Sequence, residues 1–147
     1  MTINHLPRIA AAHIADAKEW AVAALMGITR TTHDSKAYDK DSDVVAGNMR
    51  ISVKSSAFTL MAGSLCNGLT SFDAIWNLYA ANVHSNTFAY VTADFTAYMM
   101  NLDEFKSFVY AFCRLERESE KNGGAYKIRC RKESKKMLAW LADMATT

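Results

Sequence analysis

Asp43 and Lys54 carry the densest chemistry in this sequence. Both lie in residues 42–56, which read as two short β-strands joined at Gly47-Asn48. Asp43 heads the first strand. The second, Arg50 to Lys54, alternates: Ile51 and Val53 take one face, and Arg50, Ser52 and Lys54 take the other. With Asp43 beside the Ser52/Lys54 face, an acid, a hydroxyl and an amine converge. A second charged array lies further along. Lys127, Arg129 and Arg131 alternate with Tyr126, Ile128 and Cys130, and Lys132, Lys135 and Lys136 continue the run against one acid, Glu133. A basic face of this kind supplies phosphate contacts, which give affinity and salt dependence without reading sequence. The same charges also serve to protect an edge strand from aggregation. Ser55 and Ser56 follow Lys54 and suit either a phosphate hydrogen bond or a capping or turn role.

These residues need elements to position them. Pro7 to Met26 is expected to be one long helix, with Pro7 in the first turn and Gly27 as the stop signal. Leu6, Ile9, Ile14, Ala17, Ala21 and Leu25 form its apolar stripe. Glu19 lies on a second face among small apolar neighbours, suited either to a close approach by another element or to solvent. Ile28 to Thr32 is β-branched and reads as a first strand or its approach. His33 to Ser42 reads as a loop. Phe58 to Gly63 is short and apolar, with a loop near Gly63 and Gly68. Ser71 caps a helix running to about Val83. Thr87 to Thr92 reads as a buried strand. Asn101, Asp103 and Glu104 open a helix whose stripe is Phe105, Phe108, Val109, Phe112 and Leu115. Lys121 to Gly124 breaks that helix, Tyr126 to Arg131 forms a strand, and a last helix starts near Ser134.

Composition narrows the class. The chain has 147 residues, half of them hydrophobic and 22% charged, which suits one domain with a full core rather than disorder. The net charge of +2 is too small to argue for a polyanion partner, so the local charge distribution carries that argument. Cys66, Cys113 and Cys130 are far apart and odd in number, which speaks against a disulfide framework or a structural zinc site and for reduced thiols. No signal peptide and no membrane span are expected, and the expected location is cytoplasmic. Asp39, Asp41 and Asp43 imitate the start of a calcium loop, but Val44 and Arg50 occupy its glycine and glutamate slots. HExxH, Walker, GxGxxG and GxSxG motifs are missing, and His5, His13, His33 and His84 have no ligand spacing. No organic cofactor is expected.

The order of elements, with Asp43 on one strand of a hairpin and Lys54 on the next, resembles the PD-(D/E)xK nuclease superfamily. The resemblance implies an α/β (α+β) fold over residues 1–147, a single nuclease-like domain. Its centre is a mixed sheet of about four to five strands flanked by helices, restriction-endonuclease-like. Asp43 matches the family's first acid and Lys54 its lysine, while Ser52 stands where the second acid belongs. The implied activity is metal-dependent DNA endonuclease, using Mg²⁺ or Mn²⁺. Asp43 would be the principal metal ligand, the Val53 carbonyl a backbone ligand, and Lys54 the residue that positions the nucleophile. Glu19 fills the missing carboxylate role in one version of this reading, since some family members carry a functional Glu on the leading helix. In the other version the Ser52 site is degenerate, and the protein is a non-enzymatic module that binds nucleic acid or inhibits another protein. DNA contacts fall to Lys127, Arg129, Arg131, Lys132, Lys135 and Ser55, and a homodimer is expected.

Overall fold

Thr87–Val91 and Thr96–Met100 show no polar face, because both faces of the sheet they build are covered. The computed structural model describes residues 1–9, 14–28, 42–60 and 68–146. In chain order its elements are β1 (Thr2–His5), α1 (Ile14–Leu25), β2 (Val44–Ala46), β3 (Met49–Lys54) and β4 (Thr59–Leu60). They continue with α2 (Phe72–Asn82), β5 (Thr87–Val91), β6 (Thr96–Met100), α3 (Leu102–Phe112), β7 (Cys113–Arg117), β8 (Tyr126–Cys130) and α4 (Lys135–Thr146). The fold is α+β. A five-stranded mixed sheet has the order β1-β6-β5-β3-β2, and a three-stranded sheet has the order β4-β8-β7. In the large sheet β3 and β5 run parallel and every other pair is antiparallel. No helix of the described residues is long and apolar enough to cross a membrane.

Two cores sandwich the large sheet. On one face α1 lays Ala17, Ala21 and Val22 against Val44, Ile51, Ala89, Val91 and Ala97. Alanines on both sides let the helix backbone come close to the sheet. On the other face Phe88, Tyr90, Tyr98 and Met100 meet Phe105, Phe108, Leu60, Ile128, Met137 and Leu141. Phe105 stacks on Phe88 with ring centroids 4.4 Å apart and 3° between the planes. Phe58 leans on the same group, 6.2 Å from Phe105.

The helix ends follow local chemistry. Ser71 Oγ accepts the Ala74 N–H at 3.1 Å. Asn101 and Glu104 form a reciprocal capping box at the head of α3. Gly27 takes φ 75° after α1 and the Ile28 N–H returns to the Ala23 carbonyl at 2.9 Å, closing the helix as the sequence predicts.

Other boundaries differ from expectation. Residues 6–9 are not helical: Leu6 continues from β1 and its N–H donates to the Phe95 carbonyl at 2.8 Å. Neither β1 nor β6 is marked by the sequence pattern; they pair with each other, and β6 pairs with β5. Leu115 belongs to a strand, not to the helix stripe, because pairing it with Ile128 brings it onto the buried β8 centre. No glycine or proline marks that change at Phe112–Cys113. β8 is the central strand of its sheet, so its charges do not guard an edge. Cys113 and Cys130, directly opposed across β7 and β8, are free and buried. Of the strand expected at Ile28 to Thr32, residues 29–32 lie outside the described residues. So do 33–41 of the expected loop, 61–63 of the apolar stretch after Phe58, His13 and Cys66.

Candidate active site at the hairpin edge

The β2–β3 hairpin turns through Gly47 and Asn48. Gly47 has φ 59° while Asn48 keeps negative φ, the pattern of a type II′ turn. Asn86, just ahead of β5, braces the hairpin tip. Its Oδ1 accepts the Arg50 N–H at 3.0 Å and its Nδ2 donates to the Asn48 carbonyl at 2.8 Å. At the other end of β2 the buried hydroxyls of Ser42 and Ser85 share a hydrogen bond of 2.8 Å. The hairpin is therefore tied to the β5 lead-in at both ends.

Asp43 occupies a bulge. Val44 pairs with Ile51, yet the Asp43 N–H also reaches the Ile51 carbonyl, at 2.9 Å, so two residues of one strand oppose one of the other. The Asp43 carboxylate then accepts the Val53 N–H at 2.7 Å. It takes the ladder bond that the next residue of β2 would have made. N–H and C=O of one strand residue point to the same side. The Val53 carbonyl therefore faces the same edge as Asp43.

Lys54 follows immediately, and its ammonium lies 5.9 Å from the Phe58 ring centroid. Asp43 and the Val53 backbone thus meet at the β2 edge of β3, and Lys54 follows on the face it shares with Phe88 and Tyr90. Ser52 alternates to the Lys54 face, is 3% exposed and sits in register with Phe88. Glu19 is half-buried on α1, the helix that covers the opposite face of the sheet from Ser52 and Lys54. Among the described residues no three His, Cys, Asp or Glu side chains cluster closely enough to hold a metal ion between them.

The carboxyl ends of the parallel strands β3 and β5 hold further groups that the sequence did not suggest. Tyr90 is in register with Lys54. Its phenol donates to Glu133 Oε1 at 3.0 Å, and the Ala93 N–H donates to Oε2 at 3.3 Å. The Glu133 N–H in turn donates to Ser56 Oγ at 3.0 Å. Lys18, on α1, is 6% exposed. Burial draws its ammonium below its ordinary pKa, and the charge of Glu133 partly offsets this. The one signal for Glu133 in the sequence is its place as a lone acid among six bases. Lys18 and Tyr90 read as ordinary helix and core residues.

Burial, then the charge and hydrogen bond of Glu133, hold the Tyr90 phenol protonated well above its ordinary value of 10. Its folded pKa is the raised one, so its contribution to stability is complete below pH 10 and drains away as pH climbs past that value. Urea melts at pH 9 to 11 (roughly spanning the free phenol pKa) should show the parent losing stability more steeply than Tyr90→Phe. Parallel curves would detach the phenol from this linkage.

The basic strand is less available than its composition suggests. Lys127 pairs with Glu118 at 3.2 Å and Arg129 with Glu116 at 3.9 Å. Arg131, Lys132, Lys135 and Lys136 are exposed and form no ion pair among the described residues. Ser55 is half-buried beside Lys54.

No protein-family model, curated protein or solved structure matches the chain.

Proposed function

We propose that this protein is a metal-dependent DNA endonuclease whose site is Asp43, the Val53 carbonyl and Lys54. The observation that carries the reading is the Asp43 carboxylate held 2.7 Å from the Val53 N–H, one residue from Lys54. One carboxylate oxygen is used in that bond and the other is left for a cation or a water. A single carboxylate with a backbone carbonyl fits magnesium, which keeps several waters and takes few protein ligands. A bound Mg²⁺ or Mn²⁺ would neutralise phosphate charge and supply hydroxide near neutral pH. The protein's own part is positional. The bulge fixes Asp43, and the Val53 hydrogen bond orients its carboxylate. Lys54 brings a cation to the place where negative charge grows on the phosphorus centre, or holds the attacking water. Glu19 enters as the second carboxylate only if its removal costs activity. Two copies acting on two strands would explain a homodimer, which sedimentation would detect.

Ser52 favours a second reading. It is buried and uncharged where a second carboxylate would strengthen metal binding, which suits a protein that binds nucleic acid without cutting it. Incubation with supercoiled plasmid, with and without Mg²⁺ or Mn²⁺, separates the two. Nicking that needs metal and is lost in Asp43→Ala and Lys54→Ala is the expected result. Salt-sensitive binding with no nicking under either metal would replace the enzyme with the binder. Unchanged nicking in Glu19→Gln would remove Glu19 from the site.

A further inference from the structure

The four exposed cations of residues 131–136 are not placed by a strand. They sit on the connection between β8 and α4 and on the first turn of α4. That connection is fastened through Glu133, whose carboxylate takes the Tyr90 phenol and the Ala93 N–H and whose own N–H goes to Ser56. Tyr90 lies in register with Lys54 and Ser56 is two residues beyond it. The fastening therefore brings the connection that carries Arg131 and Lys132 to the Lys54 end of β3, and Lys135 and Lys136 follow on the first turn of α4.

This arrangement has a cost. Lys135 and Lys136 occupy the first turn of α4, which has no acidic residue, and cations there oppose the helix dipole. Lys18 adds a further buried cation whose charge interacts with Glu133. A fold that gathers exposed positive charge at one place, against its own electrostatics, is matched to an external polyanion.

We propose that Glu133 is the positioning residue for a nucleic-acid docking surface formed by Arg131, Lys132, Lys135 and Lys136, and that its partner is the phosphodiester backbone of duplex DNA. The paired strand face at Lys127 and Arg129 is not that surface. The proposal deepens the nuclease reading and rests on nucleic acid as the substrate class. It concerns binding, so it is tested without cleavage.

The experiment measures binding of a short fluorescein-labelled DNA duplex in EDTA across a salt series, with a thermal melt of each variant. Simple electrostatics requires Glu133→Ala, which removes a negative charge, to bind more tightly. Positioning requires the reverse: several-fold weaker binding and a shallower dependence on salt. Glu133→Gln keeps an acceptor for the Tyr90 phenol and should bind at least as well as the parent, with the same salt slope. The double variant Lys132→Ala/Lys135→Ala should lower the slope by roughly 2, close to one for each phosphate that those lysines neutralise. Tighter binding by Glu133→Ala would overturn the positioning role. An unchanged slope in the double variant would overturn the surface, and this arm decides the matter if Glu133→Ala does not fold. Stronger retention on phosphatidylserine vesicles than on the duplex would also overturn it. Cleavage with binding indifferent to these variants would sink this inference and spare the nuclease. Binding that follows them without any cleavage would do the opposite.

Discussion

Asp43→Asn should leave the fold standing and remove phosphodiester cleavage. Asparagine has nearly the same shape as aspartate, and its Oδ1 can still accept the Val53 N–H that the carboxylate now takes at 2.7 Å. The Asp43 N–H bond to the Ile51 carbonyl is untouched by the change. The bulge should survive, and stability should move by no more than about 1 kcal/mol, the scale of one partly exposed hydrogen bond. What disappears is the negative charge. Without it the proposed site cannot hold a divalent cation beside Val53. A fall in nicking rate of at least about 100-fold is expected, the scale of losing one group matched to transition-state charge. Asp43→Ala should also lose activity, and it would in addition leave the Val53 N–H without its partner. The comparison separates chemistry from scaffolding. If Asp43→Asn cuts plasmid at the parental rate, Asp43 is a strand-end residue that caps β3 and nothing more, and the active site lies elsewhere.

The hairpin was legible because its determinants are local. Gly47 supplies the positive φ that the turn requires, and the alternation of Ile51 and Val53 with Ser52 and Lys54 fixes which side chains share a face. The caps at Ser71 and Asn101 were legible for the same reason, since each acts over three residues. The bulge at Asp43 was not, because it depends on the offset between strands rather than on any residue type. Nor was the neutralised strand face. Glu116 and Glu118 lie on β7 or just after it, and only the register that sets Glu116 opposite Lys127 brings these acids to Lys127 and Arg129. Tyr90, Glu133 and Lys18 come from three distant parts of the chain, and no spacing rule joins them. β5 and β6 show how burial hides period: with α1 on one face and aromatic rings on the other, alternation in hydrophobicity disappears.

Phe105→Ala should cost about 3–5 kcal/mol, the range for truncating a buried phenylalanine. The ring is fully buried. It stacks on Phe88 at 4.4 Å and lies within 6.5 Å of Trp76, Tyr79, Phe58 and Phe108. Its neighbours come from α2, β5, α3 and the approach to β4, so no single element can move to fill the space left behind. Native proteins hold a margin of only about 5–15 kcal/mol, and a loss of this size removes a large part of it. Urea unfolding should show the midpoint falling with the slope unchanged, which assigns the loss to the native state. The melting temperature should drop by roughly 10 °C or more for a chain of this length. The hairpin should register the change as well. Phe58 rests against Phe105 and carries the Lys54 ammonium at 5.9 Å, so a shifted Phe58 moves the cation proposed to act at the phosphate. Phe105→Leu keeps most of the volume and should fold with a smaller loss, leaving that movement measurable as reduced nicking per folded molecule. A loss below about 1 kcal/mol for Phe105→Ala, the cost of an ordinary substitution, would show that the aromatic cluster closes over the gap and that Phe105 does not set the position of Phe58.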